Sequence, residues 1–121
     1  MERTEVRIAG FGGQGVVLAG VLLGRAALEE GRYAVQTQSY GAEARGGAAR
    51  SEVIITDQPA LYPEVVTPDI MVVLSQAALD RYLGDLREEG LLIADAELVS
   101  RLPERPGGKI LGERFTEVAG R

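Results

Sequence analysis

Residues 6–24, VRIAGFGGQGVVLAGVLLG, join three local patterns that together decide the fold. Val6–Ala9 is typical of a short β-strand, and the glycine-rich turn Gly10–Gly15 follows at once. From Val16 the sequence is apolar almost all round, which predicts a helix over residues 16–30 whose first half is deeply buried. A strand, a glycine-rich turn and a helix in this order are typical of an α/β domain.

Three glycines of the predicted helix have separate structural roles. Gly20 and Gly24 lie four residues apart on one face, where they would let the helix backbone approach the sheet closely. Gly31 stands just after the last helical residues, which is the usual position of a C-terminal cap.

The remaining pattern alternates strands with one further helix. Strands are predicted over residues 33–38, 50–56, 69–74 and 91–94, with a short last one at 109–111, and Ser75 is the candidate N-cap of the second helix. The connection before residue 50 is too short for a crossover helix, so the strand at 50–56 should run antiparallel to its neighbours. The sequence therefore predicts one α/β domain with three layers (α/β/α) and a mostly parallel sheet containing one antiparallel strand, at about residues 50–56.

Composition excludes many kinds of chemistry. The 121 residues include no cysteine and no histidine, so the chain can offer no thiolate ligand for an iron–sulfur cluster and no Cys or His zinc site. It also lacks the pairs needed for Ser-His or Cys-His nucleophilic catalysis. We therefore expect no metal site and no catalytic residue on this chain.

Charge and hydropathy indicate the class of partner. The net charge is −5 and aromatic residues make up 5% of the chain, which disfavours nucleic-acid binding because neither a basic surface nor stacking platforms are present. No apolar run approaches the length of a membrane span, and the polar start does not resemble a secretory signal. We expect a soluble, cytoplasmic protein that binds no membrane.

The turn Gly10–Gly15 is the first candidate site. Gly10, Gly12 and Gly15 satisfy the pattern G-x-G-x-x-G, in which backbone N–H groups at a helix start can hold an anion. A dinucleotide site also needs an acidic residue at the end of the second strand, and residues 35–38 contain none. A P-loop is excluded because no Gly-Lys-Ser/Thr follows. The alternative role of these glycines is packing of the helix on the strand.

The stretch Tyr40–Gly47 is the second candidate site. It follows the second strand, at the sheet edge where ligands of open α/β sheets bind. Arg45 could hold a phosphate or carboxylate, or could pair with Glu43 and brace the loop. Tyr40 could equally pack, with its hydroxyl in water. Ser75 and Gln76 reach the same edge, with capping the better role for Ser75.

Together these motifs resemble the gamma subunit of the 2-oxoacid:ferredoxin oxidoreductases. The matching stretches are GFGGQG at 10–15, QTQSYGAEARGG at 36–47, RSEV at 50–53, and Pro68-Asp69 leading to Leu74-Ser75-Gln76. In such complexes a 2-oxoacid, here with 2-oxoglutarate favoured, is decarboxylated to an acyl-CoA and electrons pass to ferredoxin. The resemblance implies a Rossmann-like fold for this chain. It also implies that thiamine diphosphate and the iron–sulfur clusters are carried by other subunits of the complex, namely alpha, beta and, as an open alternative, a ferredoxin-like delta subunit.

By position, the resemblance places two groups of residues near the active site and coenzyme A. They are Gly12, Gly13, Gln14 and Gly15 in the first turn, and Tyr40, Glu43, Arg45, Gly46 and Gly47 in the second loop. Gamma subunits usually run longer, so residues 1–121 would form one gamma-type domain lacking a C-terminal helical region. An uncovered apolar surface would then favour a partner or dimer contact, including a homodimer in isolation.

Two other functions remain open at this stage. A free-standing nucleotide- or CoA-binding regulatory module would use the same glycine-rich loops without partner subunits. A purely structural assembly domain would use its glycines for packing alone.

Overall fold

The structure, a computed structural model, describes residues 3–11, 15–40, 48–58, 65, 67–95, 99 and 109–113. Within these ranges the elements are β1 (Arg3–Phe11), α1 (Val16–Glu29), β2 (Tyr33–Tyr40), β3 (Ala48–Thr56), β4 (Ile70–Val73), α2 (Gln76–Tyr82), β5 (Leu91–Asp95) and β6 (Lys109–Glu113). A 3-10 turn at Leu83–Asp85 follows α2 directly. The strands extend one to three residues beyond several predicted ends, and β4 is shorter than predicted.

The described strands form a six-stranded sheet in the order β2-β3-β1-β4-β5-β6. β3 runs antiparallel to both β1 and β2, whereas the pairs β1–β4, β4–β5 and β5–β6 are parallel. Only β3 therefore points against the other strands, which confirms the predicted antiparallel strand. The seven residues between β2 and β3 cannot carry a parallel crossover, so the chain must reverse direction there.

Helices cover both faces of this sheet, which confirms the three-layer architecture. On one face α1 packs mainly over β3 and β2 and also contacts β1, and the buried apolar residues there are Val6, Ile8, Val16, Ala49 and Val53. On the other face α2 packs over the middle of the sheet, with Ala9, Met71, Val73, Leu79 and Leu92 in the core. The alternation of Val6 and Ile8 with Ala9 along β1 places its side chains on opposite faces.

Gly20, within α1, and Gly31, just after the helix, act as predicted. A Cβ added at Gly20 would overlap the Ser51 hydroxyl and come within 2.9 Å of its Cβ, so the helix lies against β3 closely enough that only glycine fits. Gly31 has φ +81°, and its N–H donates to the Leu28 carbonyl. The N–H of Arg32 donates to the Ala27 carbonyl. This pair of bonds is a Schellman motif that ends the helix.

The expectation that the first half of α1 is deeply buried is wrong. Leu18 and Leu22 are 61% and 55% exposed, while Val16 and Gly20 are buried. A helix on the outside of a three-layer domain contacts the sheet through one stripe only. The apolar outer face of α1 therefore stays open to solvent in this structure.

Candidate functional site

The two glycine-rich stretches are attached side by side at one edge of the sheet. Phe11, the last residue of β1, pairs with Ala48, the first of β3. Tyr40, the last residue of β2, pairs with Ala49. The chain therefore leaves β1 and β2 at the carboxyl edge of the sheet, where the ligands of open α/β sheets bind.

Most predicted site residues lie outside the described part of the chain. These are Gly12, Gly13 and Gln14 in the first stretch and Glu43, Arg45, Gly46 and Gly47 in the second, and the side chain of Tyr40 is likewise not described. Their role as a binding site stays a prediction. What the structure establishes is the shared edge from which both stretches extend.

Among the predicted site residues Gly12–Gly15 of the first turn, Gly15 is the one that the structure describes. It adopts the left-handed conformation with φ +81°, and its carbonyl accepts the Ala19 N–H at 2.9 Å. Within the described residues, the N-cap position of α1 has no side-chain hydrogen bond, and the first turn of the helix holds no acidic residue. The N–H groups at this end are thus left for water, other parts of the chain or a ligand, and the helix dipole favours an anion there.

Ser75 and Gln76 have local roles at the same edge. The Ser75 hydroxyl accepts the Ala78 N–H at 3.0 Å, which confirms its role as N-cap of α2. The Gln76 amide donates to the Asp80 carboxylate at 2.9 Å, one helical turn on. Both side chains contribute to the start of α2.

Arg50 is a residue at this edge that the sequence reasoning did not assign to the site. Its Nε donates to the Ser39 Oγ at 2.9 Å, and its guanidinium lies 5.7 Å from the centre of the Tyr82 ring. The Glu52 carboxylate is 3.7 Å away. Because Ser39 and Arg50 flank residues 41–47, this contact ties the two ends of the second stretch together. The antiparallel pairing of β2 and β3 is the signal that could have predicted it.

Arg7 forms a buried charged cluster in the middle of β1. It is 3% exposed and donates to Glu52 at 2.8 Å, to Asp85 and to the Val65 carbonyl at 2.9 Å. Burial lowers the pKa of Arg7, but the hydrogen bonds to Asp85 and Glu52 and the negative charges of both carboxylates together raise it by more, so the pKa lies above its ordinary value. The Arg7 guanidinium thus stays charged, and its contacts join β1, β3 and the turn after α2.

The described ranges show neither a metal-binding cluster nor a membrane-spanning helix. Among residues 3–11, 15–40, 48–58, 65, 67–95, 99 and 109–113, no group of three or more Asp or Glu side chains could hold a metal ion. No helix in those same ranges is long and apolar enough to cross a bilayer.

Comparison with known proteins gives a family match. The family described as Pyruvate ferredoxin/flavodoxin oxidoreductase matches residues 5–121. The chain is similar to a protein of Methanocaldococcus jannaschii named 2-oxoglutarate synthase subunit KorC, with 57% identity over 105 residues. That match covers 84% of this chain and 56% of the relative. The chain thus spans about half the length of this relative.

Two solved structures share the fold. The keto/oxoacid ferredoxin oxidoreductase gamma subunit from Geobacter sulfurreducens superposes with a TM-score of 0.81 at 42% identity. That match covers 98% of this chain and 65% of the other. The 2-oxoglutarate:ferredoxin oxidoreductase from Magnetococcus marinus, solved with 2-oxoglutarate, coenzyme A and succinyl-CoA bound, gives a TM-score of 0.87 at 19% identity. The match covers 99% of this chain and 21% of the Magnetococcus marinus chain. The same fold therefore occurs as one part of a longer polypeptide.

Proposed function

Since this chain belongs to the Pyruvate ferredoxin/flavodoxin oxidoreductase family, we propose that it acts as the gamma-type part of a 2-oxoacid:ferredoxin oxidoreductase. The complex would decarboxylate a 2-oxoacid, with 2-oxoglutarate favoured, form the acyl-CoA and pass the electrons to ferredoxin. The observation that carries this proposal is the 57% identity with the 2-oxoglutarate synthase subunit.

The cofactors of such a complex would belong to other subunits. Thiamine diphosphate and iron–sulfur clusters would be held by the alpha and beta subunits and by a ferredoxin-like delta subunit where one is present. This chain has neither cysteine nor histidine, so it offers no thiolates for a cluster. The composition therefore fits a subunit that shapes the reaction site and carries no redox centre of its own.

The part of this chain nearest to the chemistry would be the shared edge of the two glycine-rich stretches. Coenzyme A would enter the active site along a path lined by Gly12–Gly15 and Tyr40–Gly47. Arg45 would bind one of its phosphate groups. Two structural observations support this assignment. The first stretch follows β1 and the second follows β2, and both strands pair with β3 at the same edge of the sheet. Among the described residues, none caps the start of α1 with its side chain.

The test uses the complex carrying an affinity tag on this chain. The purified complex should contain thiamine diphosphate and iron, and should reduce ferredoxin with 2-oxoglutarate only when coenzyme A is present. The isolated chain should show no turnover under the same conditions. Turnover by the isolated chain, or a purified complex that oxidises no 2-oxoacid, would contradict the proposal.

Titration calorimetry of the isolated chain distinguishes the alternative of a free-standing regulatory module. Coenzyme A, NAD and ATP are titrated separately into the chain without partner subunits. A gamma-type subunit should bind NAD and ATP weakly or not at all. Strong NAD binding would favour the module, and would contradict the inference from the missing acidic residue at the end of β2.

A further inference from the structure

Among the described strands, β2 lies at one edge of the sheet and is paired on one side only, with β3. Its eight residues, Tyr33–Tyr40, contain no charged residue and no proline. Edge strands of monomeric proteins are usually protected by charges, prolines, bulges or covering segments, because their unpaired backbone groups recruit another strand. The composition of β2 therefore fits a strand that pairs with a second chain.

The flank of α1 above this edge is also apolar. Val17, Val21, Gly24 and Leu28 are spaced by four, three and four residues, so they form one stripe along the helix. A Cβ at Gly24 would lie 4.0 Å from those of Ala34 and Gln36 on β2, so the stripe is on the β2 side. Leu28 at its end is 56% exposed. An apolar helix flank and an open strand edge thus form one continuous surface.

The middle of α1 lies over the middle of β2. Gln36, at the middle of β2, lies opposite both Gly20 and Gly24 at the middle of α1. A single two-fold axis through Gln36, perpendicular to the sheet, would therefore pair β2 antiparallel with its copy and α1 antiparallel with its copy. In this arrangement Ala34 faces Gln38 of the second copy, and Val35 faces its Thr37, so the side chains of each pair lie on one face.

We propose that this surface binds a second copy of the chain, so that two six-stranded sheets join through β2 into one. Because α1 lies over β2 and β3 and strands are about 4.8 Å apart, the two helices would lie about 10 Å apart, a usual helix-packing distance. Val17 of one copy then contacts the region of Leu28 of the other. No like charges meet along β2, since the strand has none.

Pairing with a second copy accounts for both the open edge of β2 and the apolar flank of α1, whereas an unrelated strand would account for the edge alone. This inference rests on the geometry of α1 and β2, and does not depend on the proposed function. Failure of either proposal leaves the other standing.

The first experiment measures the mass of the full chain by sedimentation equilibrium across a concentration series. We expect twice the chain mass of 12.9 kDa. Leu28→Glu should shift the chain to monomer, because two carboxylates would be buried in the joined flank. The matched control is Leu22→Glu: Leu22 is 55% exposed on the same helix but lies outside the stripe, and its variant should remain dimeric. A monomeric wild-type chain overturns the proposal, as does dissociation by Leu22→Glu but not by Leu28→Glu.

The second experiment locates the axis and needs no change in the stripe. The chain has no cysteine, so each variant carries one thiol. Gln36→Cys should form a disulfide-linked dimer under mild oxidation, because residues on the axis face each other within disulfide reach. Gln38→Cys is the control, since its two copies would lie about 14 Å apart. Equal cross-linking of both variants, or of neither, contradicts the axis.

Discussion

Arg50 and Ser39 face each other across the β2–β3 pair, and the Arg50 Nε donates a hydrogen bond of 2.9 Å to the Ser39 Oγ. Tyr40, the last residue of β2 and the first of the second predicted binding stretch (Tyr40–Gly47), follows Ser39 directly. Arg50 also lies over the Tyr82 ring of α2. The contact therefore links the ends of that stretch to the layer that packs on the opposite face from α1.

Loss of this hydrogen bond should loosen the ends of β2 and β3. Ser39→Ala leaves Arg50 without the acceptor and should cost about 1 kcal/mol. Limited digestion with trypsin, which cleaves after arginine, should show faster cleavage after Arg45 than in the wild-type chain. Thr37→Ala, on the same face of β2 but exposed, is the control. Equal cleavage rates in the two variants would show that the contact does not restrain the stretch.

Arg7 should be a major contributor to stability. Arg7→Met removes the cation that pairs with Glu52 and Asp85, and breaking a buried ion pair costs about 3 kcal/mol or more. Urea unfolding measures the effect. The control is Arg81→Met, because Arg81 also lies over Tyr82 but is exposed, so its loss should change the unfolding free energy by about 0.5 kcal/mol or less. Similar losses in both variants would contradict the assigned role of the buried cluster.

Gly20 should tolerate no side chain. Gly20→Ala places a methyl group on Ser51, and overpacking of this kind costs about 1–3 kcal/mol. Gly84→Ala is the control, since an added Cβ there meets open space. Thermal unfolding should show a lower midpoint for the first variant and little change for the second. Adding Ser51→Ala to Gly20→Ala should recover part of the loss, and no recovery would place the strain elsewhere.

Arg45 should affect coenzyme A without affecting the fold. Loss of one charge-assisted contact to a phosphate corresponds to about a tenfold change in affinity. Arg45→Ala in the assembled complex should therefore raise the KM for coenzyme A about tenfold, with the 2-oxoacid KM unchanged. Arg25→Ala, on the outer face of α1, controls for loss of a positive charge. A stable complex with unchanged coenzyme A kinetics would remove Arg45 from the proposed site.

Local rules predicted the parts of this fold that depend on neighbouring residues. Gly31 ends α1 and Ser75 caps α2 because each acts within a few residues of its own position. The reversal of β3 followed from the short connection before it, which limits topology whatever the side chains are. These features need no knowledge of distant contacts.

The features that the sequence did not predict depend on distant partners. Leu18 and Leu22 have the composition of core residues, but the sheet lies on one side of α1 only, so both remain exposed. Arg7 interrupts an apolar strand, and its buried charge is compensated by Glu52, which lies 45 residues later in the chain. The candidate binding residues differ from both, because most of them lie outside the described residues and their role stays a prediction.

The position of β3 between β2 and β1 has a consequence for the order of folding. The unit β1–α1–β2 leaves one vacant place in the sheet, and only β3 fills it. The β2–β3 hairpin is local and can form within microseconds, whereas its docking on β1 closes a loop of some forty residues and should be slower. During synthesis on the ribosome, α1 would therefore have no complete surface to pack on until Thr56 has emerged. We expect the burial of Gly20 against Ser51 to be a late event in the folding of this chain.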